Sequence, residues 1–311
     1  MDIILDLQGG LGNVLFQVAF GLLAARRWDG CVMIGREDLH HFTTNEYVVF
    51  LRGLQRADAV YAGIAGLAVT WTLKWKPGDV NVAKTPDEVL DDAEAVFAKA
   101  VAEGASAVSI VDGYFQSERY WAALGGAEAG PRFVRERFSA PPECAESLAA
   151  FYGAEKLANA FFVHVRRGDY VGSSFDMKLT RRGGYFARAL ADAAGRGDWK
   201  GAVCFFFTDD PRYDPAAFAE DTGAAFAGEV VVVRGISETF ALWLMSMCKL
   251  GGICSNSTFS WWGGWLNANP EKRVYFPAEW HYEKYAYAGM RAIPAGAGDD
   301  GAESLSVHKI E

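Results

Sequence analysis

Ala160-Phe161-Phe162-Val163-His164-Val165-Arg166-Arg167-Gly168-Asp169 opens the second half of this 311-residue chain. The apolar run has no helical period and stops at two arginines and a glycine, the pattern of a β-strand that ends at a polar sheet edge. Alternation along the strand sets His164 and Arg166 on one face and turns Val165 and Arg167 to the other. Arginine suits a diphosphate because its planar fork offers paired N–H donors. A histidine two positions from an arginine at a strand end reads either as part of a ligand site or as a member of a structural ion-pair cluster.

The same plan repeats downstream. A helix is expected over Tyr185–Ala194, then a strand over Ala202–Phe207 that ends in Thr208-Asp209-Asp210. A strand at Val230–Val233 precedes a helix near Glu238–Lys249. Ile253-Cys254 is a short strand leading into Ser255-Asn256-Ser257-Thr258-Phe259-Ser260 and the tryptophans Trp261, Trp262 and Trp265. Strands that alternate with helices, each ending in polar residues, indicate a parallel sheet with ligands at its carboxyl edge. The tryptophans read as core for at least two of the three, with sugar stacking as the alternative.

Upstream, Ile3, Ile4, Leu5 and Leu7 form a strand closed by Gly9-Gly10-Leu11-Gly12. An apolar-faced helix is expected from Asn13, placed as its N-cap, to about Trp28. The turn lacks the third glycine of the dinucleotide fingerprint, since Leu15 stands there. It reads as a tight turn or as backbone N–H groups brought close to a ligand. Residues 86–103 read as a helix and Ser106–Val111 as a strand. Ser139-Ala140-Pro141-Pro142 is the first clear break, so the chain divides into 1–150 and 151–311. Ala295–Glu303, rich in glycine, alanine and aspartate, reads as a mobile tail.

Composition narrows the function. Thirty Lys+Arg against 39 Asp+Glu leave a net charge of −9, with 51% hydrophobic residues. Such a chain buries a sizeable core, and it lacks the basic field that broad binding to nucleic acid or anionic membrane requires. A small anionic ligand needs only a few local cations. The stretch Val14–Ala25 is shorter than the roughly 20 residues of a membrane span and has no basic segment before it, so a cytoplasmic protein is expected. Five cysteines without C-x-x-C spacing argue against a zinc site or a disulfide framework. No D-x-D triplet occurs, which argues against metal-bridged pyrophosphate.

GGLGNVLFQVAF at 9–20, GYFQSERY at 113–120, HVRRGDY at 164–170, FTDD at 207–210, LMSMCK at 244–249 and SNSTFSWWGGWL at 255–266 occur in one order over most of the chain. Together they resemble glycosyltransferase family 11, the α-1,2-fucosyltransferases. The resemblance implies an α/β fold of GT-B type, two Rossmann-like domains facing across a cleft. The first would be the acceptor side and the second the GDP-sugar side, with the extreme C-terminus packing back on the first. It implies inverting, metal-independent transfer of L-fucose from GDP-β-L-fucose to the 2-hydroxyl of a terminal β-galactoside, with no cofactor. By this likeness Arg166 neutralises the β-phosphate, while His164, Arg167 and Asp209 help bind GDP. Ser257, Thr258 and Phe259 line the nucleotide pocket. Asn13, with Gly10 and Gly12 of the glycine turn, approaches the reacting centre. Asp169 reads as a general base or as the ion-pair partner of Arg166 or Arg167. The chain departs from the family at Val14, Val18 and Ala241, where Gln, Tyr and Asp are usual. A transferase of another sugar or linkage, and a non-catalytic nucleotide- or glycan-binding protein, are the alternatives.

Overall fold

The computed structural model describes residues 1–30, 32–34, 60–62, 71–74, 85–111, 113–173, 175–278 and 290–293. Cys31, the tail at 295–303 and the extreme C-terminus expected to pack back lie outside the described residues. The chain divides into two compact units, Met1–Ser139 and Ala140–Glu311. The division falls inside the Ser139–Pro142 break, eleven residues before the 150/151 boundary read from composition. The helix Pro142–Tyr152 goes with the second unit, where Tyr152 meets Phe205 edge to face at 5.5 Å.

In the first unit, β1 (Asp2–Leu5), β2 (Val32–Ile34), β3 (Val60–Ala62), β4 (Trp71–Lys74) and β5 (Ala107–Val111) form a parallel sheet in the order β3-β2-β1-β5-β4. Helix α1 (Leu11–Arg27) follows β1 and is buried on nearly every side. Its aromatic residues dock on the segment after β5. Phe20 stacks on Phe115 with centroids 3.8 Å apart, and Phe16 on Trp121 at 5.6 Å. The cap expected at Asn13 is corrected. The helix starts two residues earlier, Gly10 is its N-cap in an extended conformation, and no side chain caps it. Asn13 is therefore already helical, and its side chain is committed elsewhere. Helix α2 (Pro86–Ala102) starts where its sequence demands. Thr85 and Glu88 form a reciprocal capping box, and Pro86 stands in the first turn, where its missing N–H costs nothing.

In the second unit, β6 (Ala160–Val165), β7 (Val203–Thr208), β8 (Val230–Val232), β9 (Gly251–Ile253), β10 (Arg273–Pro277) and β11 (Met290–Ile293) pair in parallel in the order β11-β10-β9-β6-β7-β8. Every residue of β6 is buried, as the unbroken apolar run requires of a strand covered on both faces. Helix α3 (Tyr185–Arg196) lays Tyr185, Phe186, Ala189 and Ala193 on one side of this sheet, at helical spacing. They meet Phe206 and Phe218, and Phe186 and Phe218 lie edge to face at 5.4 Å. Trp261, Trp262 and Trp265 are all buried in the helix Thr258–Leu266, which removes them from sugar stacking. Cys204, Cys248 and Cys254 are buried thiols. Among the described residues no helix is long and apolar enough to cross a membrane.

Candidate functional site

The second unit gathers the charged residues at the carboxyl ends of β6 and β7, which pair through Val165 and Thr208. Past these ends Asp209 takes several donors at once. Its Oδ1 accepts the backbone N–H of Arg167 at 2.7 Å and of Gly168 at 3.2 Å, and its Oδ2 pairs with Arg166 Nη1 at 3.0 Å. Gly168 leaves room for this approach, because a Cβ at that position would stand 2.4 Å from Asp209 Oδ2. The other side of the Arg166 guanidinium meets Asp169, Nη2 to Oδ1 at 2.6 Å, and its Cζ lies 5.3 Å from the Tyr170 ring centre. Of the two readings of Asp169, the ion pair is the one this geometry displays.

Arg167 is placed differently from the strand reading. β6 ends at Val165 and a 3₁₀ turn occupies Gly168–Tyr170, so alternation no longer governs position 167. Instead of opposing Arg166 across the sheet, Arg167 lines the same pocket. Its guanidinium lies 4.0 Å from the centre of the Tyr213 ring, with Nε 3.4 Å from Asp210 Oδ2 and Nη1 3.6 Å from Asp221 Oδ2. Tyr213 donates its hydroxyl to Asp221 at 3.0 Å and closes the group.

That pocket has a volume of about 290 Å³, near the lower end of the roughly 300–1,000 Å³ usual for ligand sites. Arg166, Arg167, Lys178, Arg181, Asp176 and Asp221 are the charged residues on its wall. Carboxylates pair with three of these cations, Asp169 and Asp209 with Arg166, Asp210 and Asp221 with Arg167, and Asp176 with Lys178. Tyr170 and Phe175 stack at 5.5 Å on its wall. Asp176 shapes the loop beside it, taking the N–H groups of Gly172 (3.0 Å) and Lys178 (3.1 Å) and the Lys178 ammonium (2.5 Å). Burial raises the Asp176 pKa, but these donors outweigh it and leave the carboxyl below its ordinary value.

His164 and Phe259 meet edge to face at 5.6 Å behind Arg166. Ser257, buried, is the N-cap residue of the helix Thr258–Leu266, whose first turn carries no acidic residue, while Thr258 and Phe259 open that helix half-buried. These residues stand beside the pocket rather than on its wall. Lys178, Arg181, Asp221 and Asn256 lie on the wall, and the motif reading gave them no role. The basic stretch Lys178–Arg182 was a signal for the first two. Asp221 has none, because it sits in an ordinary helix, Pro215–Thr222, and reaches Arg167 only in three dimensions.

The first unit has its own polar cluster at the carboxyl edge of β1 and β5. Gly10, Gly12 and Asn13 begin α1, and Gln116 Nε2 donates to Asn13 Oδ1 at 2.7 Å. Gln17, buried inside α1, grips the strand exit from both sides. Its Oε1 accepts the Gln8 N–H at 3.0 Å, and its Nε2 donates to the Gln8 carbonyl at 2.7 Å.

Residues 148–284 match the model of glycosyl transferase family 11, so the family resemblance stands over most of the second unit. The O-antigen biosynthesis glycosyltransferase WbnK of Escherichia coli is 36% identical over 132 residues, 40% of this chain and 39% of that protein. An alpha-1,2-colitosyltransferase of Escherichia coli is 30% identical over 162 residues, 50% of each. The chain thus spans half or less of the curated relatives it matches. The crystal structure of POFUT1 in complex with GDP-fucose superposes with a TM-score of 0.50 at 11% identity, covering 88% of this chain and 97% of that one. At that identity the likeness is one of fold, and it places the chain in the GT-B class of α/β proteins expected above.

The His164 environment has a consequence in acid. Burial, with the Arg166 charge beside it, holds the His164 pKa down to about 3 from its ordinary 6.5, and its Nδ1 is buried without a hydrogen-bond partner among the described residues. The unfolded chain takes up a proton here that the folded chain refuses. Stability from this residue is full above pH 6.5 and declines as pH falls from there toward 3. His164→Gln is expected to flatten the acid limb of the unfolding free energy by about one proton, measured by urea titration across that window. Parallel curves for the two proteins would contradict this.

Proposed function

We propose that the chain is a GDP-sugar-dependent glycosyltransferase, and more finely that it moves L-fucose from GDP-β-L-fucose to the 2-hydroxyl of a terminal β-galactoside with inversion. The observation that carries the reading is Arg166. It stands at the carboxyl end of the central strand β6, within the segment that matches family 11, on the wall of a pocket that also carries Arg167, Lys178 and Arg181. The names of both curated relatives, one an alpha-1,2 transferase, support glycosyl transfer and the linkage. The colitosyltransferase also favours a second reading, the same linkage with a different sugar.

The proposed chemistry is a single displacement. The acceptor hydroxyl attacks C1 from the face opposite the nucleotide and gives up its proton to solvent, the C1–O bond to the β-phosphate breaks, and GDP leaves with the bonding electron pair. Charge then grows on the β-phosphate, and a fork of N–H donors aimed there binds the transition state more strongly than the ground state. Asp209 and Asp169 hold the Arg166 fork and so set its orientation. Arg167, tied to Asp210, Asp221 and Tyr213, supports the turn that carries Arg166. His164, buried and neutral at physiological pH, packs with Phe259 behind the diphosphate. Ser257 and Thr258 direct a helix N-terminus toward phosphate oxygens. Asn13, Gly10 and Gly12 serve the acceptor on the first unit.

Incubation of GDP-fucose with a panel of β-galactosides, followed by NMR of the product, tests this reading. A new α-1,2 linkage formed equally well with and without EDTA is expected, because arginines and hydroxyl donors take the place of a metal. Intact GDP-fucose would sink the reading, and activity lost to EDTA and restored by Mg²⁺ or Mn²⁺ would sink its metal-independence.

Arg166→Lys keeps the charge and loses the planar fork. It is expected to lower kcat by about 10²–10³, roughly 3–4 kcal/mol, with a much smaller change in GDP affinity by calorimetry. Arg167→Lys, at a braced support, is expected to lose less. Near-normal kcat in Arg166→Lys, or a larger loss at Arg167, would remove Arg166 from this role.

A further inference from the structure

The two arginines at the end of β6 are held with unequal force. Arg166 is gripped by Asp169 at 2.6 Å and by Asp209 at 3.0 Å. The ion pairs of Arg167 are longer, 3.4 Å from Nε to Asp210 Oδ2 and 3.6 Å from Nη1 to Asp221 Oδ2, at and beyond the limit of a hydrogen bond. A guanidinium carries five N–H donors, and Arg167 Nη2 has no partner among the described residues. The side chain is only 25% exposed, and it lines the pocket together with Asp221 and Thr180. Arg167 therefore stands on the pocket wall with donor capacity that its carboxylates do not use.

Tyr213 links the parts of this arrangement. It is 4% exposed, and its ring centre lies 4.0 Å from Arg167 Cζ, so the aromatic face holds the cation without neutralising it. Its own loop is fixed. The Tyr213 N–H donates to the Asp210 carbonyl at 3.0 Å, and Arg234 donates to the carbonyls of Pro211 and Tyr213. The Tyr213 hydroxyl donates at 3.0 Å to Asp221 Oδ2, the same oxygen that Arg167 Nη1 faces, and it also meets the Thr180 side chain. Burial, then the hydrogen bond to Asp221, pushes the Tyr213 pKa above its ordinary value, so the hydroxyl stays a donor. By engaging Oδ2 it keeps Asp221 at the long end of ion-pair range from Arg167.

We infer that Tyr213 is a positioning residue for Arg167, holding its guanidinium at the pocket wall so that Nη2 donates to the diphosphate of the donor. This rests on the GDP-sugar reading proposed above. A contact made equally before and during transfer shows in donor affinity and not in turnover. Tyr213→Phe keeps the ring and removes the hydroxyl that fixes Asp221. It is expected to weaken GDP binding by calorimetry, and to raise the KM for GDP-fucose, about five- to tenfold, with kcat within about twofold of wild type. The melting temperature is expected to stay near wild type. Arg167→Gln removes the fork itself, and in that background Tyr213→Phe is expected to cost no further GDP affinity, because Tyr213 acts through Arg167. Unchanged GDP affinity in Tyr213→Phe, a loss confined to kcat, or additive losses in the double variant overturn the inference while GDP binding by the wild type leaves the proposed function standing. A wild-type protein that binds no GDP overturns the reading on which the inference rests.

Discussion

Asp209 binds the two backbone amides of Arg167 and Gly168 with one oxygen and the Arg166 guanidinium with the other. The turn after β6 would otherwise leave those amides without partners at a sheet edge, and Arg166 would be a long side chain with many rotamers. Asp209 comes from the neighbouring strand end, so its position is fixed by the β6–β7 register in which Val165 faces Thr208. Two parallel strands of matched length thus convert backbone pairing into the placement of a cation. Gly168 leaves the carboxylate space to approach, and Asp169 takes the remaining face of the guanidinium.

Much of this organisation is legible in the sequence because burial and capping are local signals. The unbroken apolar run of β6, the capping box at Thr85 and Glu88, and the one-sided spacing of Tyr185, Phe186, Ala189 and Ala193 each announce their element. The order of polar strand ends likewise announces the parallel sheet. Side-chain partners far apart in sequence are a different matter. Asn13 looks like a helix cap until Gln116 is seen to hold it, and Asp221 looks like an ordinary helix residue until Arg167 reaches it. Arg167 itself defeats the alternation rule because the strand stops two residues before it. The pocket wall from Phe175 to Arg181 shows its basic residues in the sequence but hides its shape for a further reason. Its shape depends on Asp176 collecting backbone N–H groups from its own loop, and no sequence period records that.

The two units use one device with different chemistry. In the first, carboxamides lock the strand exit and the start of the helix, through Gln17 on Gln8 and Gln116 on Asn13. In the second, carboxylates lock arginines. Neutral locks would suit the acceptor side proposed for the first unit, since sugar hydroxyls need oriented donors and acceptors rather than charge. Ionic locks would suit the proposed diphosphate site, since an incoming anion could replace one carboxylate at Arg166 while the other still holds the turn. Asp169, largely exposed, is the one placed to give way, whereas Asp209 is tied to the backbone.

A crystal structure with GDP bound tests this account most directly. The β-phosphate is expected within hydrogen-bonding distance of the Arg166 guanidinium, with Asp209 still accepting the Arg167 and Gly168 amides. A diphosphate bound elsewhere, with Arg166 still held between Asp169 and Asp209, would contradict it.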